Sequence, residues 1–162
     1  MSLARNYLVT LFLIALLPAG SFADTADAFA APTLAAFPKS IIEIATPDAK
    51  VQRFNVWVAD TDPHREQGLM FVKAMAEDSG MLFVYTQPRQ ISMWMKNTLI
   101  PLDMLFVDAH GRVDQIIANA RPLSLNILSS QKPVQWVIEL NGGLAAAHGI
   151  NVGARVREIT PP

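Results

Sequence analysis

Four polar residues interrupt an otherwise apolar stretch between residues 93 and 103, and their types could do chemistry. They are Lys96, Asn97, Thr98 and Asp103. A buried charge or polar group without a partner costs several kcal/mol. Such groups are therefore paired with one another, exposed to water, or lining a pocket.

Two interpretations of these residues stay open. In the first, Asp103 forms a buried ion pair with Arg65 or Lys96 and thereby fixes a short helix to the sheet. In the second, the residues line a groove beside the turn at 96–98. Trp94 would then be an apolar wall, and Lys96 and Arg65 could receive an anionic ligand.

Catalysis is an alternative with weaker support. Asp103 and Glu139 could act as paired carboxylates, but the distance between them decides such a mechanism and does not follow from the sequence. Nucleophilic catalysis lacks its usual signals, because the chain has no cysteine and no Gly-x-Ser-x-Gly motif. The three histidines, His64, His110 and His148, lie near helix or turn signals and are interpreted as surface residues.

No metal site or cofactor is predicted, because the histidines and acidic residues lack the spacing of metal ligands. Methionine thioethers offer one weaker alternative, since they favour Cu(I). Met93 and Met95 would share one face of a strand, and Met70, Met75 and Met81 are near in sequence. Methionines in such strands are more often core residues.

The same residues belong to a longer series of motifs spread over about residues 51–159. The series consists of Arg65 with Gly68-Leu69-Met70, Gly80-Met81-Leu82-Phe83, Trp94 to Thr98, Pro101-Leu102-Asp103, Phe106, Gly111, Glu139-Leu140, Gly142-Gly143 and Gly153. In this order the motifs resemble the family called domain of unknown function 192 (DUF192, also UPF0127). The resemblance implies a small β-sandwich or barrel-like domain, often exported or membrane-anchored, with no established activity. Carried over by motif, the candidate site comprises Arg65, Trp94, Lys96, Asn97, Thr98, Asp103 and Glu139.

Short alternating apolar segments predict the strands that must position these residues. They cover 41–44, 51–59, 81–85, 91–95, 104–108, 113–118, 133–140 and 155–159. The first two should form a hairpin, and the four between 81 and 118 should pair antiparallel. The predicted fold is all-β, a compact β-sandwich or barrel-like domain of about seven to nine mostly antiparallel strands with two short helices.

Two helix signals complete this pattern. Thr61-Asp62-Pro63 has a capping side chain before a proline and predicts a short helix that ends at Gly68. A second helix is predicted over 144–147, capped by Asn141 and closed by Gly149. Residues 121–133 are predicted to form a loop.

The N-terminal residues have the composition of an export signal. Arg5 precedes an apolar run over 8–17, and small residues Ser21 and Ala23 fit a signal peptidase site. We predict a signal peptide over 1–23 that is cleaved after Ala23, a linker over 24–40 and one domain over 41–162. An uncleaved anchor is the alternative. The domain should be periplasmic or secreted, although it has no cysteine for a disulfide.

Charge limits the class of partner. The chain carries 13 basic and 14 acidic residues, with a formal net charge of −1, which gives no electrostatic footprint for nucleic acid. Scattered basic residues also argue against a membrane surface, apart from the signal segment. The leading prediction is an exported ligand-binding or accessory module of the cell envelope, with a small molecule or an envelope protein as partner. The alternatives are an enzyme around Lys96, Asn97 and Asp103, or a protein-interaction module with an exposed patch at Met93, Trp94 and Leu99.

Overall fold

The computed structural model describes residues 34–159, so the predicted signal peptide, its cleavage site and most of the predicted linker lie outside the described residues. Within that part of the chain there are nine strands and two short α-helices. In chain order they are β1 (Lys39–Ala45), β2 (Val51–Ala59), α1 (Asp62–Gln67), β3 (Ser79–Arg89), β4 (Ser92–Met93), β5 (Leu102–Val107), β6 (Val113–Ala120), β7 (Leu128–Ser129), β8 (Val134–Asn141), α2 (Leu144–Ala147) and β9 (Arg155–Ile159). The predicted all-β class is confirmed.

Seven strands form one curled sheet in the order β6, β5, β8, β3, β2, β1, β9. The two edge strands approach each other at one end, where Arg112 and Arg155 form an isolated antiparallel bridge. Val113 N–H also donates to the Ala154 carbonyl at 2.9 Å. Closing a sheet in this way removes unpaired edges, which makes the domain barrel-like.

Both faces of the central strands are buried, because side chains alternate between an inner and an outer apolar layer. The inner layer includes Leu82, Leu105 and Ile138. The outer layer includes Phe83 and Met104 and is covered by the connecting segments and by the small β4–β7 sheet. Every residue of β5 is therefore buried, and polar groups on the outer face sit beneath covering loops.

Strand pairing departs from the prediction in the middle of the chain. The β1–β2 and β5–β6 pairs are antiparallel as expected. However, β3 pairs parallel with β2 and antiparallel with β8, and β4 pairs with β7. The antiparallel pairing predicted for the four strands between 81 and 118 is therefore found within that stretch for β5 with β6, whereas β3 and β4 have later strands as their antiparallel partners. The loop prediction for 121–133 missed β7, which is only two residues long.

Order also begins before the predicted end of the linker at residue 40. Residues Leu34–Ala36 form a 3-10 turn, and Phe37 is buried in the outer layer. β1 starts at Lys39 because its register with β2 extends to the Lys39–Trp57 pair.

The predicted helix at α1 is confirmed, and the Thr61 side chain accepts a hydrogen bond from His64 N–H as its N-terminal cap. Within residues 34–159, no helix has the length and hydropathy needed to cross a membrane.

Candidate functional site

A narrow cleft opens on the outer face of the sheet, between the end of α1 and the turn that follows β4. Residues 65–70 form one wall, and Met93, Trp94, Lys96 and Thr98 form the other. Phe83 of β3 and Glu139 of β8 also line it. We call this the Glu139 cleft. Its volume is about 30 Å³, which is room for a group only slightly larger than one water molecule.

Glu139 is the unusual member of the cleft, because its carboxyl lies in an apolar layer. Only 4% of the residue is exposed, and its neighbours in register are Met81 and Met104. No hydrogen bond or ion pair of this carboxyl is found within residues 34–159. Burial alone raises the pKa of Glu139 to about 8, since an apolar surrounding disfavours the charged form. At neutral pH the group is mostly a protonated acid that can donate a hydrogen bond.

Lys96 supplies positive charge at the mouth of the cleft. Its Nζ lies 5.1 Å from the ring centroid of Trp94, in a cation–π contact. Among the residues that the structure describes, no carboxylate forms an ion pair with Lys96. Trp94 is 46% exposed, so the ammonium group and the ring are both accessible to a ligand.

The turn that carries Lys96 is fixed to both neighbouring segments by backbone hydrogen bonds. Thr98 N–H donates to the Met95 carbonyl at 3.1 Å, which closes the turn, and Asn97 adopts a positive φ of 58°. Asparagine tolerates that conformation better than most residues. Phe71 N–H donates to the Asn97 carbonyl at 2.9 Å, and the Asn97 amide contacts Met70 Sδ at 3.7 Å. Asn97 therefore positions the two walls and does not itself line the cleft.

Arg65 lines the cleft but is engaged in holding α1 against the sheet. Its Nη1 donates to the Asp60 and Val84 carbonyls at 2.6 and 2.8 Å, and its Nη2 pairs with Asp62 at 2.5 Å. The guanidinium also stacks over Tyr85, 5.1 Å from the ring centroid. Asp62 and not Asp103 is thus the carboxylate that pairs with Arg65. Of the two described cations that line the cleft, Lys96 is therefore the one available to a ligand.

Asp103 lies away from the cleft and stabilises α2. Its Oδ1 accepts from Asn119 N–H at 2.8 Å and Gly143 N–H at 2.9 Å, and its Oδ2 accepts from Ala145 N–H at 2.8 Å. The side chain is fully buried. The predicted ion pair of Asp103 with Arg65 or Lys96 is therefore wrong. The carboxylate nevertheless has a structural role, because it accepts hydrogen bonds from three backbone N–H groups. Asp103 also replaces the predicted cap Asn141, whose amide instead donates to the carbonyls of Met75 and Ala76.

Asp103 and Glu139 cannot work as paired carboxylates, because they project to opposite faces of the sheet. In the register of β5 with β8, Asp103 lies opposite Leu140 and Met104 lies opposite Glu139. Leu140 belongs to the inner layer and Met104 to the outer layer. Adjacent residues of a strand alternate between faces. Within residues 34–159, Lys96 lines the cleft but Asn97 and Asp103 do not, so these three residues share no described cavity that could serve as an enzyme site.

Five of the seven candidate site residues therefore meet in one cleft, and the other two have structural contacts beside or behind it. The five are Arg65, Trp94, Lys96, Thr98 and Glu139. Sequence reasoning gave Met70 and Phe83 no role in the site, yet both line the cleft. Their place within the shared motifs was the available signal, but apolar residues in such motifs are usually assigned to the core.

The methionines gather around the outer layer of the sheet. Met81, Met93, Met95 and Met104 are buried there, and Met70 and Met93 line the cleft. Within residues 34–159 there is no group of three or more His, Cys, Asp or Glu side chains that could hold a metal ion. A Cu(I) site of thioethers stays a prediction from the sequence.

Two of the wider hollows on the surface, each of about 300 Å³, lie away from α1. One is lined mainly by β1 and β2, and Lys39 is its charged residue. The other contains Glu43, whose carboxylate already pairs with Arg53 and Arg157. Hydrogen bonds from Arg157 are the main reason that the pKa of Glu43 is lowered. The ionisable side chains that line these two hollows are either exposed or, like Glu43, paired with arginines. The Glu139 cleft, which contains a buried carboxyl, is therefore the stronger candidate.

Comparison with known proteins places this cleft in a shared domain. The family model DUF192, described as an uncharacterised ACR family, matches residues 43–158. A Sinorhizobium meliloti 1021 protein described as a candidate transcription regulator is 39% identical, with a TM-score of 0.74 over 75% of this chain and 95% of that chain. A protein of unknown function from Novosphingobium aromaticivorans is 35% identical, with a TM-score of 0.71 over 74% of this chain and 84% of that one. No curated protein matches the sequence.

Proposed function

Because the chain belongs to the DUF192 family, whose description assigns no activity, we propose a function from the cleft itself. The domain is an exported ligand-binding module of the cell envelope, and it binds a small anionic group in the Glu139 cleft. The observation that carries this proposal is a buried carboxyl with no partner among residues 34–159, in a cleft that is also lined by a lysine without an ion pair in the same part of the chain.

Protonation makes an anion the ligand that fits. A carboxyl with a pKa of about 8 is mostly neutral at pH 7, so it donates a hydrogen bond where an ionised carboxylate would repel an anion. Lys96 adds an attractive charge, and a charge-assisted hydrogen bond is about twice as strong as a neutral one. A cationic ligand would meet the Lys96 ammonium and a mostly uncharged carboxyl inside the cleft, since the other acidic residue of the lining, Glu66, is exposed. A carboxylate head group also suits the small volume.

Binding of acetate tests the cleft directly. In methyl NMR spectra at pH 6.5, acetate should shift the signals of Met70 and Met93, which line the cleft, while methylammonium should not. Lys96→Met should weaken acetate binding by about tenfold, because it removes the charge and keeps the aliphatic stem. Binding to the unmodified domain should also weaken as pH rises through 8, when Glu139 ionises.

The matched control is Lys50→Met, which removes an exposed lysine paired with Asp48 in the β1–β2 turn. It should leave acetate binding unchanged. Glu139→Gln keeps a hydrogen-bond donor, so it should retain binding at pH 6.5 and lose the decrease above pH 7. Equal acetate affinity for the Lys96→Met and Lys50→Met variants would contradict the proposal. Failure of acetate to move either methionine signal would do the same.

Export is the second part of the proposal, and the N-terminal sequence supports it. Arg5, the apolar run over 8–17 and the small residues at Ser21 and Ala23 have the order of a cleaved signal. Protein recovered from the cell envelope or the medium after expression of the full chain should begin at Asp24 by N-terminal sequencing. Recovery of the uncleaved chain in the cytosol would contradict it.

A further inference from the structure

A second surface feature lies beside the Glu139 cleft, and it consists of exposed apolar side chains. Within residues 34–159, eight large hydrophobic residues are exposed. Three of them are on or directly after the cleft walls, at positions 71, 94 and 99, and three are in the segment 123–127, whose backbone is hydrogen-bonded to the turn at 95–98. We call these six the apolar rim: Phe71, Trp94, Leu99, Leu123, Leu125 and Ile127. Single exposed hydrophobics are ordinary, but a concentrated group marks a binding surface.

Backbone hydrogen bonds hold the segments of the apolar rim together. Phe71 N–H donates to the Asn97 carbonyl at 2.9 Å, and Leu123 N–H donates to the Thr98 carbonyl at 3.1 Å. Met95 N–H donates to the Ser124 carbonyl at 3.1 Å. The turn that forms one wall of the cleft is thus flanked on both sides by rim residues.

Two rim residues adopt a backbone conformation that costs free energy. Phe71 has a φ of 64° and Leu123 a φ of 60°, and a bulky side chain rarely adopts positive φ because Cβ approaches the backbone too closely. Their side chains are 45% and 59% exposed, so folding gains little apolar burial in return. Strain of this kind concentrates at binding sites.

We propose that the ligand of the Glu139 cleft is an amphiphilic carboxylate: its carboxylate enters the cleft and its apolar body packs on the apolar rim. This inference rests on the proposed binding of an anion. A cleft of about 30 Å³ takes little more than the head group, so the rest of any larger ligand must lie outside, on the rim. We take a free fatty acid as this ligand, and the apolar C-terminus of a polypeptide, which shares the chemistry, is tested against it.

Calorimetric titrations at pH 6.5 with acetate, octanoate and octanol test this inference, with NMR for the weakest ligand. Octanoate should bind at least tenfold more tightly than acetate, because its methylene groups are removed from water when they pack on the apolar rim. Octanol, which has the apolar body without the charge, should bind at least tenfold more weakly than octanoate. Leu125→Ser should reduce octanoate affinity severalfold and leave acetate affinity unchanged. Val152→Ser is the matched control, since Val152 is 60% exposed and lies outside the rim.

A peptide arm separates the two sources. An acetylated Ala-Leu-Leu peptide with a free carboxyl terminus is compared with its C-terminal amide and with octanoate. Octanoate should bind more tightly than the free peptide, and the reverse order overturns a fatty acid as the ligand. Equal affinity for acetate and octanoate overturns the inference while the proposed anion site stands. Equal affinity for octanol and octanoate also overturns it, and failure of all carboxylates to bind overturns both proposals.

Discussion

Glu139→Gln is expected to remove a loss of stability that the unmodified domain undergoes between about pH 5 and pH 8. Burial raises the pKa of Glu139 from 4.5 to about 8, so the folded state holds a proton that the unfolded state releases. The stabilisation is complete below pH 4.5 and disappears as pH rises to the folded pKa. The slope is about 1.4 kcal/mol per pH unit, and the total is roughly 4 to 5 kcal/mol. Above pH 8 the glutamine variant should be the more stable protein.

Urea unfolding at each pH from 5 to 9 measures this effect as the difference in free energy of unfolding between the two proteins. Other carboxylates, Glu43 and Asp62 among them, have lowered pKa values because arginines pair with them. These carboxylates stabilise the domain above the ordinary carboxylate pKa, and that stabilisation is lost in acid. Because both proteins contain them, their effect cancels when the two free energies of unfolding are subtracted. Glu66→Gln is the matched control, because Glu66 also lines the cleft and is exposed. Parallel curves for the unmodified domain and Glu139→Gln would show that the carboxyl ionises normally.

The charged groups around Glu139 do not alter the sign of this prediction. Arg65 faces it from α1 but pairs with Asp62, and Lys96 lies over Trp94 at the mouth. On β3, burial is the largest cause that raises the pKa of Tyr85, so the phenol is neutral over the same range. Burial therefore dominates the ionisation of Glu139.

The strands were predictable from the sequence wherever one segment decided its own structure. Val51–Ala59 and Arg155–Ile159 have the predicted bounds, because alternation of apolar and polar residues depends on the strand alone. The parallel pairing of β3 with β2 was not predictable, since it depends on where α1 and the following loop place the chain. Burial on both faces, as in β5, removes the alternation that would have indicated which side chains face the cleft.

The site residues were found by type, but their partners were not. Lys96 and Asp103 are seven positions apart in the sequence. An ion pair between them would have given both charges a partner, as the contacts found for Asp103 in the structure also do for its carboxylate. Contacts between residues that are distant in sequence decide the actual partners, since Asp103 accepts from Ala145 N–H and Arg65 donates to the Val84 carbonyl. The cleft depends on the same distant contacts, because Glu139 meets residues 65–70 only after β3 and β8 pair. Residue types thus predicted which polar groups would need partners, and the strand topology decides which partners they have.

The backbone contacts of Asp103 predict the second large effect. Asp103→Ala should destabilise the domain by roughly 3 to 6 kcal/mol, because one buried and two partly buried N–H groups lose their acceptor at once. Urea unfolding at pH 7 measures the loss, and hydrogen exchange reports where it occurs. The amides of Asn119, Gly143 and Ala145 donate to this carboxylate, so they should lose protection before the rest of the sheet.

Two further substitutions separate this explanation from a general effect of removing charge. Asp103→Asn keeps one oxygen as an acceptor but points an amide donor at a backbone donor, so it should cost about half as much. Asp114→Ala removes a carboxylate that pairs with a largely exposed Lys132, and such a pair contributes about 1 kcal/mol or less. A loss below about 1 kcal/mol for Asp103→Ala would mean that water replaces the carboxylate. Since α2 begins where these N–H groups are held, that result would also remove the reason for α2 to start at Leu144.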